Sequence, residues 1–524
     1  EMLLLCVEID DAETLSTLYA KVRDETINFL RNGCAGASNA RLVRTFSVML
    51  NFVRGSYPDF DGMPTAVDYV HAGAAEPHNA LRVQVQDFAG HGDFRVDFDL
   101  NAGTFPAPSR PVVVQQFLQL VDCFIDQRAT PIANLDLLPP DERQRLLVDL
   151  NQTAAAYPQA LPLHRLIERH AESAPGRLAV TDANGAIDYR ELERRSNRLA
   201  RELIAKGVTK GQRVGLLLDA SVDFAVAALA TMKAGAVYMP IDTDAPEARR
   251  ALLLESGEPA AVIATGDVPL PGNVPVIRLD TDSSSLAGQP PTRPDIDVTI
   301  DDDAYVIFTS GSTGSPKGVI CTHRGVLNLL SDVDSRQPMR AGAACSLWTS
   351  INFDVSVYEL FSALCSGGTL HLVPPPIRTD IAGLYDWCCE KKIESAYLPP
   401  FMLDDFVTMS EARPKRLTLK RLLVGVEPIP LRTLQALAGA NPGLTIVNGY
   451  GPTETTICAT LYTVPATPDD DRRTPIGRPV QNNRVYVLDE LGQPVPHGLP
   501  GELYVGGDGV ARGYLGSAAL TAER

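Results

Sequence analysis

The sequence predicts an α/β protein with three parts: a leading α/β lobe, a layered core of largely parallel sheets, and a small β-rich unit at the end. Three observations predict it. From about residue 160 apolar stripes at helical spacing alternate with short buried-strand runs, a hydrophobic strand leads straight into a Ser/Thr/Gly loop, and after about residue 475 strands are separated by Gly and Pro turns. At 524 residues, with 45% hydrophobic and 21% charged side chains, the composition is ordinary for a globular chain that is too long for one core.

The elements follow in order. Glu13 to Phe29 carries apolar residues at helical spacing, Phe94 to Leu100 alternates as a half-buried strand, and Val113 to Ile125 is again amphipathic, so residues 1–130 form the first unit. Residues 131–159, with Pro139-Pro140 and the polar run Asn151-Gln152-Thr153, read as a linker. Beyond it Leu192, Leu199 and Leu203 stripe a helix, Arg213 to Leu218 is a short buried strand, and Phe224 to Met232 is a helix ending near Gly235. Ala261-Val262-Ile263, Thr369 to Leu372, Leu422-Leu423-Val424 and Thr445-Ile446-Val447 continue the alternation, which makes residues 160–474 the α/β core. Asn483 to Leu488 and Glu502 to Val505 are strands of the β-rich unit in 475–524.

The formal net charge of −17 argues against a nucleic-acid surface, which needs clustered Lys and Arg. No apolar run reaches the roughly 20 residues of a membrane span, and no signal peptide opens the chain, so a cytoplasmic protein is expected. The nine cysteines include no Cys-x-x-Cys pair, which points to reduced thiols rather than zinc or a disulfide framework.

Residues Phe308 to Gly318 read FTSGSTGSPKG directly after the strand Tyr305 to Phe308. Backbone N–H groups at Gly311, Gly314 and Gly318, the hydroxyls of Thr309, Ser310, Ser312 and Thr313, and the charge of Lys317 can all converge on phosphate. A mobile Ser/Gly linker is the plainer reading, and the anchoring strand argues against it. The pattern also differs from the other common phosphate loop, because Lys317 is followed by Gly318 rather than Ser or Thr.

Further signatures are IDYREL at Ile187 to Leu192, MKAGAVYMPID at Met232 to Asp242, FDVSVYEL at Phe353 to Leu360, NGYGPTET at Asn448 to Thr455 and GELYVGGDGVARGYL at Gly501 to Leu515. In order and spacing residues 160–524 resemble the adenylation domain of nonribosomal peptide synthetases, within the adenylate-forming enzymes. Residues 1–130 resemble the C-terminal lobe of a condensation domain, without the catalytic His-His-x-x-x-Asp-Gly motif of that family; His71, His78 and His91 are isolated.

The resemblance implies an enzyme that uses ATP and Mg2+ to convert an amino acid to its adenylate. Thr309, Ser310, Gly311, Ser312, Thr313, Gly314 and Lys317 would serve the phosphates. Asn448, Gly449, Tyr450, Gly451 and Thr453 would serve the rest of the nucleotide, with Tyr450 stacking on adenine. Val426 and Glu427 join that set, in a segment where Gly425-Val426-Glu427 replaces the usual Gly-Gly-Glu. Glu454 resembles the magnesium ligand, a role suited to a hard oxygen donor, and Lys317, Thr309 and Glu454 form the expected catalytic set.

Asp354 resembles the residue that pairs with the substrate's α-ammonium; its plainer reading is a helix cap. Val355, Tyr358, Tyr397, Leu423, Gly425, Gly449, Ile457 and Cys458 would line the side-chain pocket. None is charged, so a neutral amino acid is expected. The implied partners are a peptidyl carrier domain, whose phosphopantetheine thiol takes the aminoacyl group, and, for members that need one, a small MbtH-like activator.

Two other readings compete. A ligase loading coenzyme A or a free carrier protein would have no use for Asp354, and a degenerate docking module would not keep an intact phosphate loop. The family's Tyr-x-Thr-Gly-Asp segment and its C-terminal lid lysine do not occur before Arg524. The resemblance therefore implies the large core without its lid, with weak ligand binding and reduced adenylation for this segment by itself.

Overall fold

The computed structural model describes residues 7–10, 12–32, 47–55, 59–63, 65, 79–87, 94–157, 160–266, 274–310, 316–413, 416–465 and 473–523. They fall into two compact units, Glu1–Leu150 with Tyr486–Tyr504, and Asn151–Val485 with Val505–Arg524. His71, His78 and His91 lie outside the described residues.

In the first unit the strand Val48–Arg54 pairs parallel with Leu81–Asp87, which pairs antiparallel with Arg95–Leu100. The helices Leu15–Asn32 and Arg110–Asp126 accompany this sheet, and Phe117 meets Phe98 edge-on at 5.3 Å. The stretch read as linker carries a helix of its own, Pro140–Leu147. Its cause is local: a proline in the first turn has no N–H to waste, and Asp141 and Glu142 complement the positive end of the helix dipole. Glu142 is then nearly buried and accepts a hydrogen bond from the His497 N–H at 2.8 Å.

The second unit holds two large sheets. One has the order Gly513–Tyr514, Pro316–Thr322, Asp303–Ser310, Val237–Pro240, Arg213–Leu217, Ala261–Ala264, Val276–Arg278, parallel from Asp303–Ser310 onward. The other has the order Arg478–Pro479, Thr460–Thr463, Thr445–Tyr450, Arg421–Gly425, Ser395–Tyr397, Ala344–Leu347, Thr369–Leu372, Leu178–Thr181, Ala186–Asp188, with its six central strands parallel. The α/β class with two mostly parallel sheets is therefore observed. Among the described residues no helix is long and apolar enough to cross a membrane.

The helix Val222–Lys233 shows how the sequence builds this core. It is apolar around nearly its whole circumference, so it is stable only when covered on all sides, and every residue but Asp223 is buried. Ser221 caps it by accepting from the Phe224 N–H, and each large side chain it buries contributes about 1.5–3 kcal/mol. Its one buried cation, Lys233, is held by Glu193 at 2.6 Å and Asn197 at 2.7 Å, with Glu168 at 3.7 Å. Those partners come from the helices Leu163–Ser173 and Tyr189–Ala205, so the ion cluster fixes three helices to one another.

The two described ends of the expected phosphate loop belong to paired strands. Asp303–Ser310 and Pro316–Thr322 run antiparallel with Thr309 opposite Lys317, and the helix His323–Arg336 follows, capped by Thr322. From Val319 to Thr322 buried and less buried positions alternate, as a strand with one covered face requires. Gly318 packs closely there: a Cβ would sit 3.0 Å from Val306 and 3.1 Å from Phe308, so those side chains would have to give by a few tenths of an ångström.

Candidate active site

Parallel sheets collect ligands outside the carboxyl ends of their strands. At that edge of the larger sheet, Ser395–Tyr397, Arg421–Gly425 and Thr445–Tyr450 lie side by side, with Tyr397 opposite Leu423 and Gly425 opposite Gly449. Gly425 adopts φ +156°, and a Cβ there would fall 2.2 Å from the Gly449 carbonyl oxygen. Only glycine lets the two strand ends approach this closely. Gly449 is constrained differently, because a Cβ there would lie 2.6 Å from Cys458 Sγ.

These strand ends form one wall of a cavity of about 270 Å³. It is lined by Val355, Tyr397, Leu423, Gly425, Gly449, Ile457 and Cys458 from the expected pocket, by Val426, Tyr450 and Gly451 from the expected nucleotide set, and by Val424 and Pro452. None carries a formal charge. Tyr358 does not line the cavity: it is fully buried beneath, with the Arg421 guanidinium 6.0 Å from its ring. Its place on the helix Val355–Cys365 turns it toward the strand Arg421–Gly425, a direction that motif alignment cannot supply.

Backbone strain gathers at the same edge. Val426 has φ +69°, Thr456 +54° and Ile457 +73°, left-handed conformations that disfavour branched side chains. Val426 stands where the resembled motif has glycine and is 70% exposed, so its side chain recovers little by burial. Val426→Gly should relieve strain of about 1–2 kcal/mol, less the extra chain entropy of glycine. The expected result is a raised denaturation midpoint, read by chemical denaturation; a lowered midpoint would contradict the strain.

Asp354 stands at the start of the helix Val355–Cys365 but makes no capping hydrogen bond, so the helix-cap reading does not hold. Burial pushes its carboxyl above the usual carboxylate range, the Thr453 side chain and nearby N–H groups pull it back, and the neighbouring Glu454 pushes it further up. The same carboxylate acts on Tyr397 and Cys458 in the cavity wall. Two carboxylates thus lie close enough to repel each other, with no cation among these influences on Asp354, an arrangement that favours an incoming positive charge.

Glu454 in turn accepts a hydrogen bond from the Tyr514 hydroxyl at 2.6 Å, and Lys317 Nζ lies 5.8 Å from the centre of the Tyr514 ring. Tyr514 belongs to the short strand Gly513–Tyr514, paired with Val319 and Ile320, and the Ala511 N–H donates to the Glu454 carbonyl at 2.8 Å. A continuous line results: Lys317, Tyr514, Glu454, Thr453, Asp354, cavity. Tyr514 lies inside the GELYVGGDGVARGYL signature, yet nothing in its spacing marks it as part of the site; only the strand pairing does.

The remaining expected residues are placed as follows. Thr309 is half-buried and its hydroxyl reaches the Lys317 carbonyl at a long 3.4 Å. The Ser310 backbone pairs with Pro316, while Gly311, Ser312, Thr313 and Gly314 lie outside the described residues. Asn448 is buried and donates its amide to the Pro475 carbonyl at 3.0 Å, which leaves its side-chain oxygen as the end able to accept from an amine. Tyr450 is 43% exposed, an open ring face rather than a core aromatic. Gly451 is required because a Cβ would lie 2.5 Å from the Ala459 nitrogen. Glu427 is exposed and close enough to act on Tyr397.

For a magnesium ion the donor chemistry fits. Glu454 offers hard carboxylate oxygens near a second carboxylate, and Mg2+ is commonly held by one or two carboxylates completed by substrate phosphates and water.

Comparison with known proteins adds the following. The family described as AMP-binding enzyme matches residues 167–515. Malpinin synthetase of Mortierella alpina is 38% identical over 402 residues, covering 75% of this chain and 5% of its own length. The dimodular nonribosomal peptide synthase of Bacillus subtilis (strain 168) is 32% identical over 490 residues, 92% of this chain and 20% of its own length. This chain therefore spans a fifth or less of each of those relatives. Among solved structures, the nonribosomal peptide synthetase FmoA3 matches with a TM-score of 0.81 at 27% identity over 97% of this chain and 55% of its own. Its AMPPNP-bound form matches with a TM-score of 0.80, again at 27% identity over 97% of this chain and 55% of its own. The N-terminal subdomain of Klebsiella oxytoca NpsA matches at 0.60 and 27% identity over 70% of this chain and 91% of its own.

Proposed function

The chain belongs to the AMP-binding enzyme family, the adenylate-forming ligases, and from that premise we propose that it is the amino-acid-activating core of a nonribosomal peptide synthetase. It selects a neutral amino acid, activates it with ATP as the aminoacyl-adenylate, and supplies it to the phosphopantetheine thiol of a carrier domain. One observation carries this reading: Asp354, held above its usual pKa next to Val355 of an uncharged cavity, has no ion-pair partner among the described residues, and an α-ammonium would provide one.

In this reading the substrate ammonium pairs with Asp354 and its side chain enters the cavity between Val355, Tyr397, Leu423 and Ile457. A charged side chain would be left unpaired there, at a cost of several kcal/mol. The substrate carboxylate is thereby aimed toward Glu454 and Lys317. A carboxylate oxygen bonds to the α-phosphorus as the bond to the β-phosphate oxygen breaks, and pyrophosphate leaves. Lys317 and the Ser/Thr/Gly segment before it hold the departing phosphates, while Tyr450 and Asn448 hold adenine. Glu454 would hold Mg2+, which supplies charge neutralisation on the phosphates. Tyr514, touching both Glu454 and Lys317, keeps these two groups in register.

Residues 1–130 are read as the C-terminal lobe of a condensation domain, followed by a linker to about residue 159; the FmoA3 likeness, which extends over 97% of the chain, supports placing these residues within a nonribosomal peptide synthetase. The test is ATP–pyrophosphate exchange by the synthetase that carries these residues, scanned over amino acids, fatty acids and aryl acids. Exchange driven by one or a few neutral amino acids supports the proposal. Exchange driven by acids that lack an amine would assign it instead to acyl loading.

A further inference from the structure

Resting on that reading, we propose that Glu359 is a positioning residue for amino acid recognition: its buried carboxylate, gripping the Trp348 and Thr349 N–H groups, sets the loop that presents Asp354 and, through Trp348, the Tyr397 side of the substrate cavity. Glu359 is 2% exposed on the helix Val355–Cys365, and one carboxylate oxygen accepts from the Trp348 N–H at 2.9 Å while the other accepts from the Thr349 N–H at 2.9 Å. Burial pushes it up to about 7 even though these N–H groups and Arg378 favour its charged form. So costly a group, touching neither the cavity nor Glu454, needs a reason to be where it is.

The reason lies in what it ties together. Thr349 to Asp354 is the connection from the strand Ala344–Leu347 into the helix whose first residues are Asp354 and Val355. At the far end of this connection the Ser356 hydroxyl donates to the Phe353 carbonyl at 2.6 Å, and the Phe353 N–H donates to the Ser350 carbonyl. At the near end Glu359 holds Trp348 and Thr349, so the helix grips both ends of the loop that presents Asp354. The grip reaches a second lining residue as well. The Trp348 indole N–H donates to the Arg378 carbonyl at 3.0 Å, Arg378 returns a bond to the Trp348 carbonyl at 2.7 Å, and the indole packs 6.4 Å from Tyr397. Tyr397 lines the cavity together with Val355.

A carboxylate suits the task because two successive N–H groups converge on it and need two acceptor atoms. Glutamine of the same shape offers one acceptor and sets an NH2 group against the other N–H. Glu359→Gln should raise the dissociation constant and KM for the amino acid about tenfold or more, while the KM for ATP stays within about twofold. Glu359→Asp, which keeps the charge but draws it back by one methylene, should show the same selectivity to a smaller degree. Both constants are measured on folded protein, amino acid binding by calorimetry and KM by pyrophosphate exchange in the intact synthetase. A purely structural role would lower the yield of folded enzyme or kcat and leave both KM values alone. That result, equal effects on the two substrates, or failure of both variants to fold would overturn the proposal. Wild-type enzyme that exchanges pyrophosphate with no amino acid would instead refute the functional reading itself.

Discussion

Asp354→Asn is expected to lower amino-acid-dependent pyrophosphate exchange by roughly 10²–10³-fold, because the substrate ammonium then enters a site without its countercharge. The same change should stabilise the unliganded fold near neutral pH. The folded-state pKa of Asp354 is raised, so the folded protein binds this proton more tightly than the unfolded chain does. Stability from this group is therefore gained as pH falls through the raised folded value and is missing above it. Asparagine removes the charge that costs stability at neutral pH, and its advantage should shrink as the pH is lowered toward the ordinary carboxylate range. Thermal melts of both proteins against pH check the sign. A variant that is less stable at neutral pH would mean that Asp354 already has a cationic partner. Loss of activity with gain of stability is what separates a binding carboxylate from a structural one.

The second large effect is expected at Gly425. Gly425→Val would place a Cβ 2.2 Å from the Gly449 carbonyl in a conformation, φ +156°, that branched residues avoid. The strands Arg421–Gly425 and Thr445–Tyr450 must then part at the cavity wall. Overpacking and backbone strain together should cost about 3 kcal/mol, with amino acid binding lost even in the protein that remains folded. Denaturant unfolding and calorimetric titration read the two consequences separately. A variant that binds normally would show that this close approach of strands does not shape the pocket.

Comparing sequence with structure shows which kinds of information are local. Helix and strand periodicity placed Val222–Lys233, Arg213–Leu217 and the parallel sheets, because each element's burial follows from its own apolar pattern. The motifs brought Val355, Leu423, Gly425, Gly449 and Ile457 to one cavity because they occupy strand ends and a helix start that meet at one sheet edge. What escaped depends on distant contacts or on direction. The antiparallel return Pro316–Thr322 forms by pairing with both Asp303–Ser310 and the remote Gly513–Tyr514. Tyr358 carries a pocket motif position but turns toward Arg421. Glu359 looks like one more helical glutamate until its two N–H partners, ten and eleven residues earlier, are seen. The helix Pro140–Leu147 was legible, since a Pro-Asp-Glu start is a helix signature, but the paired prolines suggested a linker.

The most direct test is a crystal structure of the protein bound to a non-hydrolysable aminoacyl-adenylate analogue of its substrate. The expected result has the α-ammonium within about 3 Å of Asp354, the amino acid side chain in the cavity bounded by Val355, Tyr397 and Leu423, and the α-phosphate mimic on the side of Glu454 and Lys317. An analogue bound elsewhere, or bound there with its ammonium turned away from Asp354, would contradict the convergence of these groups on one reaction.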